Sequence, residues 1–354
     1  MNKVIDILKK YKTIPLDQFI DIALYDKKFG YYMKKNPFGK NGDFITSPLI
    51  SNLFAEMLAI WCVAFWEHLG RPRKIAIVEL GPGDGSLCND LLKTFKNFKN
   101  FYNCLNIKLL EKSSHLIKIQ KKKINSNKVT WIKKLNEINY GPVIFLGNEF
   151  FDSLPIKQIY KRKKIFLEKY VALSNCNKKI RFLYKKTNKN LINSINKLDI
   201  TPISNIIEYP VEAIKYLKII AKKVKKHDGG LLTFDYGYIK RKSHDTLQAV
   251  KKHQYQNILK KPGEADITSH INFNLFCEVL KKNDLDVRRV VNQNEFLQKM
   301  GILKRADILS KKMNFKKKAN LFYRMKRLVD YKAMGNTFKV LFAQKKKKKF
   351  TLGF

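Results

Sequence analysis

The run Ile75-Ala76-Ile77-Val78-Glu79-Leu80 stops at Gly81-Pro82-Gly83-Asp84-Gly85 and passes directly into Ser86. This junction constrains the fold more than any other stretch. A short, almost unbroken apolar run is the composition of a strand buried on both faces, as in a parallel sheet. Residues 86–98 resume at helical spacing. Glycine is needed where a chain leaves a strand and enters a helix beside a ligand, because it tolerates unusual φ and lets the backbone approach closely.

The rest of the chain repeats the rhythm. Strands are predicted at 107–111, 129–132, 143–147, 231–235, near 286–291 and at 338–343. Helices are predicted from 113 or 114, near 210–226, at 274–283 and at 294–330. Residues 1–26 read as two short helices, the second beginning at Pro15. Residues 27–48 have no periodicity and form a long loop, and a long helix starts near Ser47-Pro48. Between 156 and 204 the pattern turns into antiparallel hairpins, read as an insertion. Residues 236–273 read as another loop. No internal repeat is visible. The alternation gives an α/β fold, Rossmann-like with a mostly parallel sheet, an N-terminal helical and loop extension and inserted segments. It divides as 1–70, 71–155, 156–204 and 205–354.

A dinucleotide loop wants G-x-G-x-x-G with glycine or alanine at position 86, but Ser86 stands there. E-x-G-x-G-x-G, from Glu79 to Gly85, is instead the S-adenosylmethionine form, and the fold is then that of a class I methyltransferase. Gly81, Gly83 and Gly85 form the cofactor loop, and Glu79 helps face the ammonium and sulfonium end. A structural turn is the alternative. Glu111 ends the second strand, where an acid accepts hydrogen bonds from ribose hydroxyls. The alternative is a solvated acid beside Lys112. Gly147-Asn148-Glu149-Phe150-Phe151-Asp152 follows the fourth strand, on the sheet edge where ligands lie. Glu149 and Asp152 there are the catalytic candidates, able to hold a guanidinium by paired charge-assisted bonds. The competing role is a cap or loop brace, more so for Asp152. Glu264, Asp266 and His270 are candidates for substrate contact; His270 alone reads more readily as a packed or capping histidine.

Composition narrows the partners. Lys+Arg number 72 against 29 Asp+Glu, a formal charge of +43. Such a charge attracts nucleic acid or anionic membrane. The excess, however, is mostly lysine spread along the chain with much asparagine and isoleucine. That pattern fits coding bias and solvated faces, so no specific nucleic-acid partner is expected. The five cysteines and six histidines show no metal or redox spacing. No metal is therefore expected, and free thiols point to a reducing compartment. The N-terminus has no signal-peptide character. The apolar stretch 49–69 carries Glu56, Glu67 and His68, so it reads as a buried helix and not a membrane span. A soluble cytoplasmic protein is expected.

The motifs together resemble the MidA-like family. These are bacterial relatives of a mitochondrial assembly factor for respiratory complex I, within the S-adenosylmethionine-dependent protein-arginine methyltransferases. The resemblance rests on Gly30-Tyr31-Tyr32, Pro37-Phe38-Gly39, Gly42-Asp43-Phe44-Ile45-Thr46-Ser47-Pro48, Glu79-Leu80-Gly81-Pro82-Gly83 and Asn148-Glu149-Phe150-Phe151-Asp152. It continues through Thr246-Leu247-Gln248-Ala249-Val250, Pro262-Gly263-Glu264-Ala265-Asp266 and Met334-Gly335. Asp84 stands where the family usually has arginine, and Asn272 where it usually has aspartate. The resemblance implies methyl transfer to arginine in a protein substrate, a complex I subunit. Asp43, Thr46 and Ser47 then belong to a lid over cofactor and substrate. Two rivals remain: an RNA or small-molecule methyltransferase on the same fold, and a non-catalytic assembly chaperone.

Overall fold

The computed structural model describes residues 3–34, 37, 39, 46–174, 179–198, 201–202, 205–239, 242–243, 245–252, 254–346 and 349–354. One compact unit comprises Phe38–Phe150, Lys218–Gly237 and Leu280–Phe354. Its sheet contains β1 (Ile75–Leu80), β2 (Leu105–Leu110), β3 (Val129–Ile132), β4 (Val143–Asn148), β5 (Gly229–Tyr238), β6 (Leu285–Val287) and β7 (Phe338–Lys345). The order across the sheet is β6-β7-β5-β4-β1-β2-β3. β5, β4, β1, β2 and β3 run parallel, and β7 lies antiparallel between β5 and β6. Ile77 of β1 pairs with Ile107 on one side and Ile144 on the other.

The crossovers from β1 to β2 and from β2 to β3 carry helices, as parallel pairing demands, whereas β3 reaches β4 through a short 3-10 turn at Leu135–Glu137. α1 (Asn52–His68) precedes β1, α2 (Ser86–Phe95) links β1 to β2, and α3 (Ser114–Lys123) links β2 to β3. The short turn Ser47–Ile50 is separated from α1 by Ser51, whose side chain accepts from the Leu53 amide. α1 buries Trp61 and Phe65 against Phe342 and Phe350, with ring centroids 5.0–5.5 Å apart. The predicted helix 294–330 is three helices, Gln293–Lys299, Ile302–Ser310 and Phe315–Val329. Gly301 breaks the first join with φ +83°, a left-handed value that terminates a helix.

The second unit comprises Met1–Pro37, Phe151–Leu217 and Tyr238–Val279. The hairpins of the predicted insertion are strands Lys157–Arg162, Ile165–Leu173 and Ile180–Lys186, paired antiparallel. Pro15 does not begin a helix. It ends a three-residue strand, Thr13–Pro15, on the edge of that sheet, and helix Leu16–Tyr25 follows it. The edge position suits a residue that lacks an N–H. The predicted loop 236–273 contains a three-stranded sheet of Gln248–Lys251, Gln254–Gln256 and Asp266–Thr268. These strands are only three or four residues long, too short for alternation to show in sequence.

Candidate functional site

The chain builds outward from β1 to β3, then returns to lay β4 on the other side of β1. The reversal opens a crevice at the carboxyl ends of β1 and β4, where open α/β sheets bind ligands. A cleft lies there, lined by Thr46, Pro48, Glu79, the loop from Gly81 to Asp84, Ser86, Leu87, Asn148 and Glu149.

Gly81 and Gly85 are constrained by contact as well as by torsion. Gly81 has φ +62°, and a Cβ there would stand 2.8 Å from Cδ2 of Phe150. Gly85 has φ +83° and caps α2; a Cβ there would meet Ile124 Cδ1 at 3.0 Å and Gln120 Cγ at 3.3 Å. Asp84 braces the same turn. Its Oδ1 accepts from the Ser86 amide at 3.0 Å, and its Oδ2 pairs with Lys123 Nζ at 2.5 Å. The residue that departs from the family pattern is therefore a capping and ion-pairing group.

Two acceptors in the cleft are orphaned. Glu79 is 3% exposed, and its Oε2 has no hydrogen-bond partner. Burial, helped by the negative charge of Asp84, pushes its carboxyl up to about 8. The Oδ1 of Asn148 is also buried without a partner, while its Nδ2 donates to Glu149 Oε1 at 3.2 Å. Buried acceptors normally have donors. A pair of them in one cleft fits a ligand end that only donates, such as an ammonium, and so fits S-adenosylmethionine.

Glu149 has φ +51°. A non-glycine residue in the left-handed region costs on the order of 1–3 kcal/mol and persists only when its surroundings fix it. Its amide donates to Phe234 O at 2.9 Å, and its Oε1 also accepts from the Ser47 amide at 3.4 Å. Ser47 Oγ donates to Gln293 Oε1 at 3.4 Å.

Glu111 lies just beyond β2 and is 8% exposed. Its Oε1 accepts from the Ser113 amide at 2.7 Å and its Oε2 from Gln120 Nε2 at 3.1 Å. Burial raises its carboxyl to about 7 although those bonds and Lys112 favour the anion. Glu111 does not line the cleft itself; Gln120 links it to the loop. Sequence reasoning missed Gln120. The signal was there: Leu116, Gln120 and Ile124 form one buried row at four-residue spacing, and Gln120 is its one polar member.

Other candidates fall in the second unit and line no part of this cleft. Tyr32 Oη donates to Asp266 Oδ1 at 2.8 Å, and Lys251 pairs with Glu264 at 2.7 Å. Asp152 is 6% exposed, and its carbonyl accepts from the Ser269 amide at 3.0 Å. The His270 amide donates to Thr246 Oγ1 at 2.9 Å. Asn272 Oδ1 accepts from the Leu275 amide at 3.2 Å, a capping contact. Asp43 lies outside the described residues. Among the described residues there is no cluster able to hold a metal ion and no helix long and apolar enough to cross a membrane.

Residues 57–291 match the family described as S-adenosyl-L-methionine-dependent methyltransferase. The chain is 30% identical over 339 residues to a Xenopus laevis protein named Protein arginine methyltransferase NDUFAF7, mitochondrial, covering 89% of this chain and 77% of that one. Its identity to the Homo sapiens protein of the same name is 27%, over 87% of this chain and 74% of that one. A crystal structure from Burkholderia thailandensis bound to S-adenosyl-homocysteine superposes with a TM-score of 0.84 at 21% identity. It covers 99% of this chain and 92% of that one.

Proposed function

Because the chain belongs to the family of S-adenosyl-L-methionine-dependent methyltransferases, we propose that it methylates an arginine side chain of a partner protein, with Glu149 holding the guanidinium. The relatives' shared name supports the arginine. The observation that carries the residue is the left-handed Glu149 at the mouth of β4, pinned by Ser47 and Asn148 in the cleft. Strain of this kind is kept where a side chain must be aimed.

Bound S-adenosylmethionine supplies an electrophilic methyl group on a sulfonium centre. Glu79 and Asn148 Oδ1 would hold its ammonium end, Gly81, Gly83 and Gly85 would admit its loop-facing side, and Glu111 would hold the ribose. A guanidinium, whose pKa is above about 12, is a poor nucleophile. A carboxylate bonded to two of its nitrogens localises the charge there and leaves the third nitrogen richer in electrons. Thr46 lines the cleft, and Ser47 holds Glu149 through its amide. The substrate class we favour is a respiratory complex I subunit, met in the bacterial cytoplasm.

Glu149→Gln keeps shape and removes charge. We expect S-adenosylmethionine affinity within about twofold of wild type and turnover down by about a hundredfold, the scale of one lost charge-assisted pair near 2.7 kcal/mol. Labelled S-adenosylmethionine incubated with cell lysate should place label on arginine in a polypeptide. Near-normal turnover removes Glu149 from the mechanism. Label carried on RNA or on small molecules overturns the substrate.

A further inference from the structure

The most heavily bonded side chain behind the glycine loop belongs to a residue that never touches the cleft. Gln120 is fully buried on α3. Its Nε2 donates to the Gly83 carbonyl at 2.8 Å and to Glu111 Oε2 at 3.1 Å, and its Oε1 accepts from Trp131 Nε1 at 2.8 Å. Both amide protons and one carbonyl lone pair are thus engaged. The sense of the amide is fixed by its neighbours. Reversed, it would set an oxygen against two acceptors and an N–H against the indole N–H.

We propose that Gln120 is a positioning residue for cofactor binding, holding the Glu111 carboxylate and the Gly83 carbonyl in one fixed relation so that the ribose acceptor and the loop present a single surface. The proposal rests on reading Glu111 as the ribose acceptor. Three features of the geometry support it. Gln120 bonds one Glu111 oxygen, the Ser113 amide bonds the other and the Lys112 amide donates as well, so the carboxylate is held in place with a lone pair left for a hydroxyl. Lys123, one turn further along α3, grips the loop again through Asp84, so α3 fixes two successive loop residues. Gln120 Cγ also lies 3.3 Å from where a Cβ on Gly85 would stand, so the side chain packs against the loop as well as bonding to it.

A second consequence is electrostatic. An N–H donor to Glu111 favours its anion, as do the Ser113 amide and Lys112, the charged neighbour, whereas burial opposes it. The carboxyl sits at about 7, so removing the Gln120 donor moves its titration to higher pH. Cofactor affinity that depends on the anion then falls near neutrality and returns as pH rises. A side chain that only filled space would weaken binding equally at every pH.

The test is calorimetry with S-adenosylhomocysteine from pH 6.5 to 9.5 on wild type, Gln120→Met, Trp131→Phe and Glu111→Gln. Ratios of variant to wild-type Kd cancel the titration of the ligand's own ammonium and of Glu79. For Gln120→Met we expect the ratio to shrink about tenfold from pH 6.5 to 9.5, the change produced by a shift of about one pH unit in one titrating group. Trp131→Phe, which acts through the same amide, should shrink about threefold and serves alone if Gln120→Met does not fold. A ratio constant with pH for the folded variants overturns the proposal. If Glu111→Gln binds as wild type at pH 9.5, the ribose assignment itself fails. If Glu111→Gln binds weakly while Gln120→Met gives a flat ratio, the ribose assignment stands and Gln120 is only packing.

Discussion

Glu79→Gln offers the sharpest test of the cleft's electrostatics. Glu79 is a buried acid in a strand whose every residue is buried, and its Oε2 has no partner. Its carboxyl is displaced from 4.5 to about 8. Between those values the folded chain holds a proton that the unfolded chain has released, so the folded state loses stability as pH rises through the window. At about 1.36 kcal/mol per pH unit the displacement caps the loss on the order of 5 kcal/mol. The cleft is open to water, which trims the expected loss to about 2–4 kcal/mol. Glutamine does not titrate. Urea denaturation at pH 5, 7 and 9 should therefore show wild type losing about that much relative to Glu79→Gln between pH 5 and 9. Saturating S-adenosylhomocysteine should flatten the difference, because an ammonium beside Glu79 stabilises the anion. Binding near pH 7 should then release a substantial fraction of one proton, measurable by calorimetry in buffers of different ionisation enthalpy. Parallel stability curves for the two proteins, or binding without proton release, would refute the placement of the ammonium against Glu79.

Gly81→Ala should weaken S-adenosylhomocysteine binding by at least about tenfold, since the new Cβ meets the Phe150 ring at 2.8 Å and φ is +62°. Calorimetry on the folded variant checks it, and wild-type affinity would show that the ring moves aside freely. Lys123→Ala should cost only about 0.5–1 kcal/mol, because the pair with Asp84 is 33% exposed on the lysine side. Thermal melts should show that loss fading as salt is raised, and a salt-independent loss would point to packing instead.

The sheet core was legible because its strands carry their own signal. β1 and β4 are buried apolar runs predicted to within one residue of the observed strands, and the predicted 231–235 falls inside β5, which begins two residues earlier and ends three later. The errors lie where local signal is weakest. Strand Thr13–Pro15 exists only through its pairing with Tyr170–Ala172, more than 150 residues away. The helical stretch 294–330 keeps apolar spacing across its breaks, so periodicity cannot see that Gly301 and Asn314 divide it, although Asn314 caps the last helix through the Lys317 amide. The grouping of residues 1–37 with 151–217 and 238–279 is a matter of long-range contacts, which no local pattern encodes.

The site was legible where it breaks a local rule. Three side chains do so. Glu79 places an acid in the middle of a strand buried on both faces, Glu149 is a non-glycine residue with φ +51°, and Gln120 is an amide in a row otherwise of leucine and isoleucine. Each choice opposes folding taken alone, by desolvation, by backbone strain and by burial of polar atoms. Sequence exposes the first directly, exposes the third only once the helical row is drawn, and hides the second, because a torsion has no letter. All three meet around one loop: Glu79 and Glu149 line the cleft with Gly83, and Gln120 bonds the Gly83 carbonyl from behind. Left-handed non-glycine residues also occur elsewhere, Lys12, Arg71 and Asp284 among them, so strain alone marks no site. At the crevice where β1 and β4 part it coincides with a buried acid and a buried amide, a combination that one ligand can compensate together. A saturating concentration of that ligand should therefore stabilise the fold by more than the same ligand stabilises a Glu79→Gln, Gln120→Met double variant. Equal increments in melting temperature would show that the departures have separate causes.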